Sequence, residues 1–499
     1  MNLYALLYER FAAALDCPSL ALPSAAKGAR VPAWTYGDLD GASARFAAAL
    51  QRRGVEPGDR VLVQVPKSAE AVALYLGVLR CGGVYVPLNV AYTEREVAFF
   101  VSDASPRVVI RGGGGVGEPG SGDGPRAIGI DALWREARSF DPDPAIERRA
   151  DDDLAAICYT SGTTGRSKGA MITHRNLTSN ALALYRIWGF EPGDVLLHAL
   201  PIFHVHGLFV ALHTAFLNTS KVLFLPAFDA AEVRRLLPEA TVLMGVPTFY
   251  SRLLAEPGFG SADCESIRLF VSGSAPLTEA VFGDFEGRTG HQILERYGMT
   301  EAGMITSNLL DGERVAGTVG FPLPDVEVRA VAEDGAELPA GEVGMLEIRG
   351  PNLFAGYWAL PDKTAEEMRG DGFFVTGDLG SVDVEGRVTL VGRGKDLIIA
   401  GGFNVYPKEV EDRLDEVEGV RESAVIGAPH ADLGEGVVAV LVAEGGPVED
   451  DTLRTALEAG LARYKHPRRF YWVDELPRNA MGKVQKNVLR ERYHGAYCA

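Results

Sequence analysis

The chain of 499 residues is poor in cysteine: Cys17, Cys81, Cys158, Cys264 and Cys498 are scattered with no C-x-x-C pair. Neither a zinc site nor a disulfide framework is suggested, and a reducing compartment fits best. Basic charge is also in deficit, with 49 Lys and Arg against 67 Asp and Glu and a net charge of -18. A surface of that sign repels phosphate backbones and anionic lipids, so neither nucleic acid nor a membrane is an expected partner. Long apolar runs are scarce too. The charge-free stretch 195–220 could span a bilayer by length, but it holds Pro201, Gly207 and four histidines (His198, His204, His206, His213), and it reads as buried interior. The first residues lack a basic n-region and put Glu9 and Arg10 where the apolar part of a signal peptide would lie. They read as an amphipathic helix of a cytoplasmic protein.

What is present is a globular chain, 47% hydrophobic and 23% charged, too long for one core. The run 61–65 predicts a strand, 68–80 a helix and 82–88 a second strand after a glycine break. That is a βαβ unit, and strand-like runs recur at 107–111, 155–160, 222–225, 241–245 and 269–272 with helical segments between them. The expected class is α/β: layered subdomains with largely parallel sheets. Residues 112–124 are glycine-rich and read as a flexible surface loop. After about Gly317, short β runs with Gly/Pro/Asp turns predict a more antiparallel subdomain. A boundary is placed between 393 and 394, giving a domain of residues 1–393 and an α+β domain of residues 394–499.

The most informative segment is Tyr159-Thr160-Ser161-Gly162-Thr163-Thr164-Gly165-Arg166-Ser167-Lys168-Gly169, read as following a strand and preceding a helix from His174. Glycines let backbone N–H groups face an anion, hydroxyls add donors and a lysine adds charge, which makes a phosphate cradle. The spacing of Gly162, Gly165 and Gly169 around Lys168 differs from a Walker A loop.

On these residues the sequence resembles the adenylate-forming superfamily: acyl- and aryl-CoA synthetases, luciferase and peptide-synthetase adenylation domains. The resemblance spans nearly the whole chain, because Gly82-Gly83-Val84-Tyr85-Val86-Pro87-Leu88-Asn89, Ser272-Gly273-Ser274-Ala275-Pro276-Leu277, Tyr297-Gly298-Met299-Thr300-Glu301, Thr376-Gly377-Asp378, Gly392-Arg393-Gly394-Lys395-Asp396 and Pro477-Arg478-Asn479-Ala480-Met481-Gly482-Lys483 follow in the family's order. It implies an enzyme that joins a carboxylic acid to ATP as an acyl-adenylate and then to coenzyme A. It also implies that Thr160 to Lys168 hold the β- and γ-phosphates, that Thr300 meets the α-phosphate and that Glu301 helps bind Mg²⁺. Tyr297, with Gly298 and Met299 beside it, would lie against the adenine, in a slot lined by Gly273, Ser274, Ala275 and Pro276. Asp378 would take the ribose hydroxyls, with Arg393 nearby. Lys483 would bridge the carboxylate and the α-phosphate as charge builds between them. The C-terminal domain is implied to be a mobile lid, with Lys395 at its hinge and Gly401 and Gly402 along the pantetheine tunnel. Lys486 and Ser167 are mild departures from residues common in the family.

The acid is read from the pocket. Val205, His206, Val271, Ser274 and Met304 fall at acyl-pocket positions, and none is an aspartate that would bind an amino group. Arg296 stands where coumarate ligases and luciferases have glycine. A guanidinium there shortens the cavity and offers a bidentate partner to a second carboxylate. The runs 203–208, 268–274 and 295–300 are similar to the malonyl-CoA synthetases, so malonate or a similar short dicarboxylic acid, such as methylmalonate, is the expected substrate. Arg252 and Arg268 are fallback anchors, and an ion pair of Arg296 with Glu295 is the structural alternative. A CoA ligase for a medium-chain or aryl monocarboxylate and an adenylation enzyme that loads a carrier protein are the competing functions.

Overall fold

The computed structural model describes residues 1–22, 33–112, 125–142, 144–160, 167–401, 403–430, 433–479 and 482–497. Of the glycine-rich stretch 112–124, only Gly112 lies among them.

One sheet of six strands runs in the order Arg126–Gly129, Val108–Arg111, Arg60–Gln64, Val84–Pro87, Leu154–Thr160, Lys168–Thr173. Its strands pair in parallel except for the last two, which are antiparallel. The helix Ala69–Arg80 is buried along its length and is started by Ser68, whose hydroxyl accepts the Ala71 N–H. A second sheet of nine strands carries the parallel strands Val195–His198, Lys221–Phe224, Val242–Gly245, Leu269–Ser272 and Leu294–Met299 in its middle. The first four carry continuous rather than alternating apolar runs because both faces are covered. The stretch 195–220 is interior, as its composition implies: strand, then a π-helical segment His206–Leu212, then the helix His213–Leu217. Gly207 permits this winding, since a Cβ there would lie 2.2 Å from the Pro201 carbonyl oxygen.

The helix expected after the phosphate-loop segment is present, but a strand that was not expected, Lys168–Thr173, comes before it and turns back along Leu154–Thr160. The helix His174–Ile187 starts where expected, in a capping box between Thr173 and Asn176, but the loop joins two strands of a hairpin. Lys-Gly-Ala-Met-Ile-Thr lacks the β-branched and aromatic density that marks a strand in sequence; its partners make it one.

The third sheet is antiparallel: Glu327–Val331, Gly344–Arg349, Phe374–Val382 and Val388–Arg393. The fourth holds five strands from Ile398 onward, with the helices Pro407–Asp415, Asp450–Glu458 and Lys486–Arg492 beside it. Among the described residues, two buried clusters are built from residues 398–489 alone and two from residues no later than Val388. No helix among them is long and apolar enough to cross a membrane.

Candidate active site

Strand alternation decides what Arg296 can touch. Glu295 and Arg296 are consecutive on the strand Leu294–Met299 and so point to opposite faces. Glu295 turns to the Leu277 N–H at 3.2 Å, and burial pushes its carboxyl up to about 8. Arg296 is 2% exposed, and none of its three guanidinium nitrogens has a hydrogen-bond partner among the described residues. Its guanidinium lies beneath Gly273, where a Cβ would sit 2.6 Å from Cζ, so only glycine leaves that space. Burial pulls Arg296 down to about 9, which leaves it charged at neutral pH.

Around it stand two buried histidines, held neutral, and the Lys483 ammonium. Burial, then Lys483 and Arg296, push His204 down to about 3; burial, then Arg296 and His204, hold His206 well below the usual imidazole range. His206 is fully buried, with Nδ1 3.3 Å from the Ser274 hydroxyl and Nε2 unpartnered. Val205, Val271 and Met304 are buried, and the Ser272 hydroxyl is unpartnered. The fallback arginines are elsewhere: Arg268 forks onto Asp194 from its Nε at 2.8 Å and a terminal nitrogen, and Arg252 is exposed.

Tyr297 and Asp378 meet directly. The Tyr297 hydroxyl donates to one oxygen of Asp378, and Arg393 Nε pairs with the other at 2.7 Å. Asp378 is 5% exposed, and burial raises its pKa against the pull of Arg393. Ser274 adopts φ 72°, a left-handed conformation unusual for serine, in the turn after Leu269–Ser272. Ala275 beside it is partly buried and Pro276 exposed, while Gly298, Met299 and Thr300 are partly buried.

Ser161, Gly162, Thr163, Thr164 and Gly165 lie outside the described residues. The ends of the hairpin are described: Thr160 is partly buried, and the Lys168 ammonium lies 3.1 Å from Glu367 Oε1 and 4.0 Å from the Tyr357 ring centroid. Sequence reasoning missed Tyr357 and Glu367. The Tyr357 hydroxyl sits 2.7 Å from Glu367 Oε2 and 3.1 Å from Glu301 Oε1, so one proton is shared by two carboxylates. Glu301 is 6% exposed, and burial raises its pKa. A buried carboxylate is a hard-oxygen donor of the kind Mg²⁺ takes, one or two at a time, with phosphates and water. Among the described residues no group of three His, Cys, Asp or Glu could hold a metal by itself.

Lys483 reaches this site from the C-terminal end of the chain. Neighbouring Gly482 approaches Thr248, and burial, then Arg393, lowers the Lys483 ammonium to about 8 while Asp378 and Glu301 oppose. Lys395 is exposed in the turn Gly394–Asp396, where Asp396 is held by Arg490 at 2.7 Å. Gly401 borders a cavity of about 150 Å³ with Phe403 and Tyr464; Gly402 lies outside the described residues.

The site thus gathers, from segments distant in the chain, the buried Arg296 guanidinium, the buried carboxylates of Asp378 and Glu301, and the Lys483 ammonium whose charge they both feel. The sequence pattern of the family described as AMP-binding enzyme matches residues 23–358, and that of the AMP-binding enzyme C-terminal domain matches residues 409–483. The chain belongs to the AMP-binding enzyme family. As a member of this adenylate-forming superfamily it is an acid–thiol ligase that uses ATP, Mg²⁺ and CoA to make an acyl-CoA. This AMP-binding enzyme is 36% identical to a malonate–CoA ligase of Arabidopsis thaliana over 87% of its own chain and 78% of the relative. It is 35% identical to a feruloyl-CoA synthase of an Amycolatopsis species over 92% and 94%. ATP-bound MatB from Rhodopseudomonas palustris superposes with a TM-score of 0.93 at 48% identity, over 99% of both chains.

Proposed function

We propose that this AMP-binding enzyme activates malonate as malonyl-AMP and transfers the malonyl group to coenzyme A. One observation carries the reading: a buried Arg296 guanidinium, near His204, His206 and Lys483, whose nitrogens have no hydrogen-bond partner among the described residues. A buried cation is strongly disfavoured until an anion meets it. A second carboxylate on the substrate supplies that anion, and a monocarboxylate does not. The likeness to the Arabidopsis malonate–CoA ligase and to MatB supports the same acid.

In this reading the free carboxylate of malonate sits on Arg296 with His206 as a neutral neighbour, which aims the other carboxylate at the α-phosphate. Lys483 and the Thr300 hydroxyl screen the two anions as they approach, and pyrophosphate leaves from the opposite side. Glu301 would hold Mg²⁺, which supplies charge neutralisation on the phosphates. Asp378 and Arg393 fix the ribose and Tyr297 covers the adenine. Residues 394–499 are read as a lid that turns about Lys395, withdrawing Lys483 and bringing Gly401 to the pantetheine arm. The CoA thiol then attacks the malonyl carbonyl, AMP departs, and the thiol proton goes to solvent.

The test is AMP and pyrophosphate release with MgATP across malonate, methylmalonate, acetate, octanoate and coumarate, each with and without CoA, for wild type and Arg296→Gly. CoA-dependent turnover dominated by malonate, and lost with Arg296→Gly more than any turnover of monocarboxylates, supports the reading. Preference for octanoate or coumarate overturns the substrate and keeps the ligase. Acyl transfer only to a carrier protein overturns the acceptor.

A further inference from the structure

Glu367 belongs to no motif, yet it holds the lysine of the phosphate loop. Its Oε1 lies 3.1 Å from Lys168 and equally 3.1 Å from Lys363, one turn earlier on the helix Pro361–Glu367; its Oε2 accepts the Tyr357 hydroxyl. The Lys168–Glu367 pair is partly buried, with side chains 16% and 22% exposed, so its attraction is less screened than that of a surface pair. Tyr357 is itself fixed, because residues 355–358 lace onto the hairpin strand: Ala355 N–H donates to the Met171 carbonyl, Met171 N–H to Gly356, and Trp358 N–H to Gly169.

We propose that Glu367 is a positioning residue that competes with the triphosphate for Lys168. It keeps the ammonium in place before nucleotide binds, yields it to the β- and γ-phosphates, and takes it back as pyrophosphate leaves. Two features make the exchange reversible. Lys363 stays on Glu367 when Lys168 departs, so the carboxylate is not left as an uncompensated partly buried charge. Tyr357 holds Oε2, so the carboxylate cannot follow the lysine toward the phosphates. AMP has no β- or γ-phosphate and does not enter the competition. The device therefore favours release of pyrophosphate while the acyl-adenylate stays seated, which is the order the two half-reactions require. The inference rests on the reading of Lys168 as a ligand of the outer phosphates.

Calorimetric titration of pyrophosphate, MgATP and AMP into wild type, Glu367→Gln, Lys363→Gln, Lys168→Ala and the Lys168→Ala/Glu367→Gln double variant tests it. Glu367→Gln is expected to bind pyrophosphate and MgATP about three- to tenfold more tightly, as loss of one partly screened charge pair implies, with AMP unchanged. Its KM for ATP falls, and its kcat falls as pyrophosphate leaves more slowly. Lys363→Gln is expected to shift pyrophosphate the other way, because Glu367 then grips Lys168 alone. In the Lys168→Ala background the Glu367 substitution should do nothing. Unchanged or weaker pyrophosphate binding by Glu367→Gln, with Lys168→Ala still impaired, overturns the proposal and leaves the phosphate-loop reading intact. Wild-type nucleotide binding by Lys168→Ala overturns both.

Discussion

A charged side chain buried without a partner is costly, and among the described residues Arg296 has none. Replacing it by methionine, which fills similar volume without charge, should therefore raise the stability of the unliganded protein by about 1–3 kcal/mol. The same variant should lose malonate turnover. Thermal melts of wild type and Arg296→Met, each with and without malonate, check both statements: malonate should raise the wild-type midpoint and leave that of the variant where it is. A lower midpoint for the variant would mean that Arg296 has a structural partner. The position of Arg296 was legible in the sequence, because it directly precedes the Tyr297 to Glu301 motif. Its isolation was not, since that depends on Glu295 facing the other side of the strand. Glu367 was invisible for a plainer reason: its contact with Lys168 spans 199 residues and neither falls in a local pattern with the other.

At the scale of the element, the apolar runs at 61–65, 222–225 and 269–272 lie in strands within a residue or two of expectation, because parallel strands buried on both faces write themselves as continuous hydrophobic runs. The strand Lys168–Thr173 escaped because its stability comes from neighbours, Leu154–Thr160 on one side and the Gly356–Tyr357 segment on the other. The π-helical turn His206–Leu212 was equally hidden, although its enabling residue, Gly207, stood in a motif. Gly207→Ala should destabilise the protein by about 1–3 kcal/mol, since the new methyl meets a backbone carbonyl rather than a side chain that can move. Denaturant titration gives that figure. Because His206 opens this turn, the KM for malonate should rise in the same variant.

For the whole molecule, the two-part organisation could be read from the change of texture along the chain, and the meeting of Lys483 with Asp378 and Arg393 was expected from the family resemblance alone, since the docking that places them together joins surfaces with no shared local pattern. That docking has a consequence in pH. Burial lowers the Lys483 ammonium to about 8, so the lysine is cationic below that pH and loses its proton above it. Adenylation, followed by malonate-dependent ATP–pyrophosphate exchange, should accordingly fall as pH rises through about 8. Conversion of supplied malonyl-adenylate to malonyl-CoA should lack this alkaline limb. Lys483→Ala should suppress the exchange by at least about a hundredfold while changing thioesterification far less. Equal losses in both assays would remove Lys483 from the first step.

Arg393, which grips Asp378, is the residue directly before the turn Gly394–Asp396. Any rotation leaves its axis still. If the proposed lid turns at that point, its far loops sweep through large arcs, whereas a sugar proposed to sit on Asp378 would lie close to the pivot and be scarcely disturbed. The nucleotide can then act as the bearing of the movement, so that the adenylate keeps its footing while the chemistry around it changes.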